Sequence, residues 1–187
     1  MTAATGAVPA DPADRPRIRR RAMRVLLVDD GDRLLLFRDS DLGFSPVPHW
    51  WITPGGGVEQ DESDRSAAVR ELAEETGVVV SEADLVGPLA TRTVVHGYSD
   101  VVTTQDEVFW FVRVPAFEVD VSGHTEVEQL TMTDHRWWTR PELEATAEEV
   151  WPRGILRLWS LAEAMVASAE PTEPLDLGDV EESTVPA

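Results

Sequence analysis

The stretch that most constrains this chain runs from Gly56 to Val78, G-G-V-E-Q-D-E-S-D-R-S-A-A-V-R-E-L-A-E-E-T-G-V. It passes from a glycine loop into a helix and leaves through a second glycine. Glu71, Glu74 and Glu75 fall at i, i+3 and i+4, so a helix of about 3.6 residues per turn carries their carboxylates on one face. Like charges at that spacing repel and cost helix stability unless something positive neutralises them. The simplest neutraliser is a hard cation, and clustered carboxylate oxygens suit magnesium or manganese. Ala68, Val69, Leu72 and Ala73 supply the apolar side that packs on a core. Three glutamates alone describe an ordinary solvated helix face with ion pairs along it. Arg70, Glu62 and a glycine at each end are what turn the reading toward a metal site.

With those residues in view, the segment resembles the Nudix box, G-x5-E-x7-R-E-U-x-E-E-x-G-U, where U is aliphatic. Gly56 matches the first glycine, Glu62 the isolated glutamate, Arg70-Glu71-Leu72 the R-E-U, Glu74-Glu75 the paired glutamates, and Gly77-Val78 the closing G-U. The resemblance implies an α/β fold, the Nudix-type α/β/α sandwich with a mixed β-sheet. It also implies a Mg2+- or Mn2+-dependent pyrophosphohydrolase acting on a nucleoside diphosphate linked to another moiety, with water attacking phosphorus. Carried over by position, Glu74 and Glu75 are metal ligands and Glu71 is a ligand or the base. Gly55 offers a backbone carbonyl to metal, Arg70 orients Glu71 or Glu75, and Glu62 binds metal weakly or indirectly. The family often adds a carboxylate from outside the box, for which Glu128 and Glu126 rank ahead of Glu107. Trp50, Phe109 and Trp138 are candidates to stack on a base, and Arg38 to meet a phosphate. That last residue serves equally well in a surface ion pair.

Composition narrows the function. The 187 residues, 42% hydrophobic, suffice for one domain with a real core. No cysteine is present, which excludes disulfides, thiolate metal sites and a cysteine nucleophile. It also argues against the isopentenyl diphosphate isomerase branch of the family. A formal charge of −19 makes binding to DNA or to an anionic membrane surface unfavourable, and would repel a polyanionic nucleotide without cations or local arginines. No apolar run has the length of a membrane span and no leader-like core is present, so a cytoplasmic protein is expected, with room for a homodimer.

Along the chain, residues 1–19 read as a flexible arm, 20–168 as the domain and 169–187 as an acidic disordered tail. The arginine cluster from Arg15 to Arg24 reads as a solubilising lead-in more readily than as an anion site. A hairpin joins Val25–Val28 to Leu34–Phe37 through a turn at Asp30-Gly31. Strands are expected at residues 49–53, 89–95, 101–114 and 135–139. Trp50 and Trp51 point to opposite faces of the first of these, one in the core and the other exposed near the site. Residues 122–129 read as a loop, and Thr139 as the cap of a short helix. Residues 152–168 form a packing helix. Within the resemblance, the NADH, ADP-ribose and coenzyme A group markers are absent, which leaves a nucleoside triphosphate or a nucleotide sugar as the most open expectation for the substrate. Two alternatives differ in kind: a noncatalytic nucleotide-sensing module, which an intact box disfavours, and an RNA 5′-end enzyme, which the acidity disfavours.

Overall fold

The computed structural model describes residues 14–168 and 173–187. Most of the expected arm and the first residues of the expected tail lie outside the described residues. The chain begins with the long strand β1 (Arg17–Asp29), turns, and returns as β2 (Leu34–Ser40). β3 (His49–Ile52) precedes the helix α1 (Asp64–Thr76). β4 (Val86–Gly97) and β5 (Val102–Val114) form a long antiparallel pair. Then come α2 (Glu126–Thr131), β6 (Asp134–Trp138), α3 (Arg140–Ala145), β7 (Val150–Trp151), α4 (Ile155–Ser168) and β8 (Leu175–Glu181). The strands join one mixed sheet in the order β7-β3-β2-β1-β5-β4-β8, with β6 paired to β2. This is the expected α/β sandwich.

Alternation along the central strands builds two cores. Met23, Val25 and Leu27 of β1 and Val108, Trp110 and Val112 of β5 meet Ala67, Ala68 and Leu72 of α1. The intervening Leu26, Val28, Phe109 and Phe111 meet Leu158, Trp159 and Ala162 of α4 on the other side. A period of two along strands and near four along helices produces this division directly. β1 pairs with β5 in parallel over its whole length.

Its other edge meets β2 only near the hairpin, at Val28 and Leu34. Below that point the loop ahead of α1 takes the place of β2. Val25 N donates to Pro54 O at 2.9 Å, Met23 N to Gly56 O at 2.9 Å, and Val58 N to Arg21 O at 3.0 Å. The box loop is thereby fastened to the middle of the sheet.

Three expectations are corrected. Residues 175–181 are not a disordered tail: β8 pairs in parallel with the outer edge of β4. The segment carrying Glu126 and Glu128 is not a loop but the helix α2, because the Thr125 hydroxyl accepts from Glu128 N and the Glu128 carboxylate accepts from Thr125 N, a reciprocal cap. Trp50 and Trp51 are both buried. Trp50 stacks against Trp151 at 4.7 Å and Trp51 donates its indole N–H to Glu148 at 2.8 Å. Among the described residues, no helix is long and apolar enough to cross a membrane.

Leu72 is fully buried under α1, so Leu72→Ala should cost about 2–5 kcal/mol of unfolding free energy, read from urea denaturation. Val79, 85% exposed just beyond the helix, provides the comparison, since Val79→Ala should change stability by no more than about 0.5 kcal/mol. Equal effects would mean that α1 does not pack as described.

Candidate active site

α1 starts cleanly and stops cleanly. The Ser63 hydroxyl accepts from Ser66 N at its N-terminus, and Gly77, at φ 74°, closes the last turn by donating to Ala73 O. The face turned inward carries Ala67, Ala68 and Leu72, but also Glu71 and Glu75. Of the three box glutamates on the helix, Glu71 and Glu75 are therefore buried and Glu74 is exposed.

Arg70 is the hub of this cluster. Its Nε and Nη2 donate to the two oxygens of Glu62 at 3.0 and 2.9 Å, Nη1 to Glu71 at 2.8 Å and to Glu74 at 3.1 Å, and Nη2 also to Gly57 O at 2.9 Å. One guanidinium so placed bridges three carboxylates, offsets part of their mutual repulsion and ties the loop to the helix. Its pKa is raised well above the ordinary arginine value, first by the Glu62 hydrogen bonds. Glu75 stands apart from this hub. Its Oε2 accepts from Gly55 N at 2.7 Å inside the protein.

Desolvation dominates both buried carboxyls. Burial pushes Glu75 up to about 8, against the lowering effect of the Gly55 N–H, and the charges of Glu71 and Glu128 push it further the same way. Glu71 is also raised, by burial first, with Arg70 opposing and Glu74 and Glu128 adding to the shift. Glycine is needed at both neighbouring positions. Gly55 holds φ at 129°, and a Cβ there would come within 2.1 Å of Met23 O. A Cβ on Gly56 would lie 2.6 Å from the Glu71 carboxylate. The loop is thus pressed against the carboxylates as closely as backbone allows.

The donor set fits a hard cation in kind: carboxylates of Glu71, Glu74 and Glu75, two of them left short of positive charge by burial, and the second lone pair of the Gly55 carbonyl, whose first accepts from Arg24 Nη1 at 2.9 Å. Among the described residues, no three carboxylate or imidazole groups already converge as a cage. Glu71 and Glu74 turn to Arg70, and Glu75 turns to Gly55. Glu128 is the outside carboxylate whose charge bears on Glu71 and Glu75. Glu126 is exposed at the start of α2.

Other expected site residues lie elsewhere. Glu107 is not free to ligate, since it accepts from Arg24 at 2.9 Å and from Arg92 at 2.7 Å and is almost wholly buried. Phe109 is fully buried, 5.4 Å beneath the Arg92 guanidinium, and Trp138 is buried beneath Arg136 at 4.2 Å. Neither has a face open to a base. Trp50 is enclosed between Tyr98 and Trp151. Arg38 lies 3.8 Å from Glu148, in the surface ion pair that was its alternative reading.

Sequence reasoning missed Arg24, which is buried rather than part of a solvated lead-in, and which donates to Gly55 O at 2.9 Å. The signal was present: Arg24 shares its strand face with Leu26 and Val28. His124 was also missed. It is buried with its Nε2 3.1 Å from Glu75 O at the end of α1.

The elevated Glu75 pKa has a stability consequence. The folded state keeps the Glu75 proton up to about pH 8, whereas an unfolded chain releases it near 4.5. Stability therefore falls as pH rises between those values. With a chelator present, Glu75→Gln should be the more stable protein at about pH 9, by up to several kcal/mol, since each tenfold change in proton affinity is worth about 1.4 kcal/mol. The two should nearly coincide at about pH 5. Parallel pH profiles for the two proteins would contradict the buried, protonated carboxyl.

A NUDIX domain model matches residues 18–159. Among curated proteins, the chain is 39% identical over 67 residues to an RNA pyrophosphohydrolase of Dinoroseobacter shibae, covering 36% of this chain and 39% of that one. It is 33% identical over 95 residues to diphosphoinositol polyphosphate phosphohydrolase 2 of Homo sapiens, covering 51% of each. The chain thus matches about half or less of the length of these relatives. Among solved structures, a MutT protein of Bacillus halodurans superposes with a TM-score of 0.53 at 19% identity, over 88% of this chain and 91% of the other. A MutT protein of Methanosarcina mazei Go1 gives 0.52 at 16% identity, over 84% and 99%. At these identities the structural likeness is one of fold. The glycine-bounded glutamate helix, the mixed sheet that carries it and the family match over most of the domain agree, and the chain belongs to the NUDIX family.

Proposed function

We propose that this protein is a divalent-cation-dependent pyrophosphohydrolase. It would cleave the phosphoanhydride of a nucleoside diphosphate linked to another moiety, of the nucleoside triphosphate or nucleotide sugar type. The observation that carries this reading is the pairing of two buried box carboxylates, Glu71 and Glu75, with a glycine loop whose backbone lies directly against them. The two curated relatives above are named for pyrophosphohydrolase and phosphohydrolase activities, which agrees with phosphoanhydride chemistry and leaves the substrate of this chain open.

A phosphoanhydride resists water because its oxygens repel nucleophiles and its leaving group carries charge. A bound Mg2+ or Mn2+ supplies neutralisation of those oxygens and a lowered pKa for water. Glu74, Glu75 and the Gly55 carbonyl would hold the cation, and Glu128 is the candidate for the further carboxylate. Glu71 would accept the proton of the attacking water, for which a raised pKa is the useful direction. Water oxygen bonds to phosphorus, the bridging P–O bond breaks, and the leaving phosphate keeps the electron pair. Arg70 keeps Glu71 in one orientation through its bond at 2.8 Å.

The test is release of phosphate or pyrophosphate from a panel of nucleoside triphosphates, nucleotide sugars, dinucleoside polyphosphates, ADP-ribose, NADH and 5′-triphosphorylated RNA with magnesium. One compound should turn over, and Glu71→Gln should lower its kcat by about 10²–10⁴-fold. Glu75→Gln should abolish turnover with the fold retained. If no compound turns over while a nucleotide still raises the melting temperature, the protein is a nucleotide-sensing module instead.

A further inference from the structure

The face of the sheet that carries Phe109 and Phe111 continues past the α4 core into a row of buried charges. Glu182, immediately after β8, is 2% exposed. Its Oε2 lies 2.8 Å from Arg92 Nη2, and its Oε1 accepts from Arg153 N at 3.0 Å. Arg92 Nε donates to Glu107 Oε2 at 2.7 Å, and Glu107 Oε1 accepts from Arg24 Nε at 2.9 Å. Arg24 Nη1 then donates to Gly55 O at 2.9 Å, and Gly55 N to Glu75 at 2.7 Å. Charges of alternating sign run without a break from the C-terminal segment to the box loop. No member of the ionic row has a side chain more than 8% exposed.

Burying four charges is costly unless every one is compensated, so the row is stable only as a set. The pairing is uneven. Glu182 Oε2 faces Arg92 without an aligned hydrogen bond. Glu107 must serve two arginines, and their charges outweigh the burial that would otherwise push its pKa up. Without the Glu182 charge, Arg92 and Arg24 compete for one carboxylate. Arg24 is then no longer fixed where it grips Gly55. The backbone of Glu182 is itself anchored, since its N–H donates to Val95 O at 3.0 Å and its carbonyl meets His96 Nδ1 at 2.6 Å.

We propose that Glu182 is a positioning residue for the box: acting through Arg92, Glu107 and Arg24, it holds the Gly55 backbone in the orientation that sets Glu75. This rests on the reading of Gly55 and Glu75 as groups that hold a divalent cation. The C-terminal segment is then a working part of the site and not an appendage.

The experiment compares full-length wild type with Glu182→Gln, using Mn2+ titration by electron paramagnetic resonance and amide exchange at Gly55 by NMR. Glu182→Gln should weaken Mn2+ binding about 10-fold, the scale of groups that orient metal ligands. Exchange at the Gly55 amide should quicken by a similar factor. Asp179→Asn, on the exposed part of β8, should change neither. Glu182→Asp keeps the charge and should fall between wild type and Glu182→Gln, and it serves as the second variant if the glutamine form folds poorly. Should Mn2+ affinity and Gly55 exchange match wild type in Glu182→Gln, the inference is overturned, even if the melting temperature drops. Both readouts are independent of turnover, so a protein that binds Mn2+ but hydrolyses nothing would refute the hydrolase reading and leave this one decided.

Discussion

Two carboxylates buried on the inner face of one helix are the constraint to which the rest of this structure answers. Glu71 and Glu75 occupy positions of α1 that an ordinary amphipathic helix would give to leucine or alanine. Each lost hydration that a lone hydrogen bond does not restore, and burial is the leading cause of both raised pKa values. The surroundings respond in several ways at once. Arg70 brings a positive charge to Glu71 while bracing Glu62 and Glu74. Gly55 turns its N–H to Glu75, which requires a φ that other residues avoid, and Gly56 keeps a side chain out of the space beside Glu71. Natural sequences depart from local rules where chemistry is needed, and the inner face of α1 is such a departure.

The loop that satisfies these carboxylates is itself held by the sheet. Residues 54–58 run along β1 where β2 has left it, so the glycine loop borrows the rigidity of the most central strand pair in the fold. This is why a position such as Gly55 can sustain an unusual backbone angle: its neighbours on both sides are fastened by strand-like bonds. A free loop of three glycines would sample many conformations and pre-orient nothing.

What could be read from the sequence follows the range of the interactions involved. The box helix was legible because i, i+3 and i+4 spacing is a local rule, and the β1–β2 hairpin because Asp30-Gly31 sits between two apolar runs. β8 was not legible. Its acidic, proline-flanked residues lack a strong apolar pattern, and its pairing partner, β4, lies far away in the sequence. α2 carried a usable signal in Thr125 and Glu128, a reciprocal cap three residues apart, that the surrounding polar residues obscured. The aromatic residues misled for a different reason. Phe109 and Trp138 have the chemistry to stack on a base, but tertiary packing had already covered them with Arg92 and Arg136. Residue type alone does not say which face of an aromatic ring is open.

Arg24 joins these two lessons. In the sequence it belongs to a cluster of arginines on an acidic protein, and a solvated role is the plain reading. On β1 the cluster divides by strand face and depth: Arg19 and Arg21 reach out to half-buried aspartates at the surface, Asp106 and Asp64, whereas Arg24 enters the interior and meets Glu107. Exposed pairs of the first kind contribute little, being screened by water. A buried pair is different, because removal of either partner strands the other in a medium that solvates it poorly. Such a row of buried charges transmits the loss of one member to the next, where a cluster of leucines would relax around a cavity. The ionic row from Glu182 to Arg24 is therefore a costly way to fill the space beneath the box loop, and its physical justification is that it couples the position of that loop to the end of the chain.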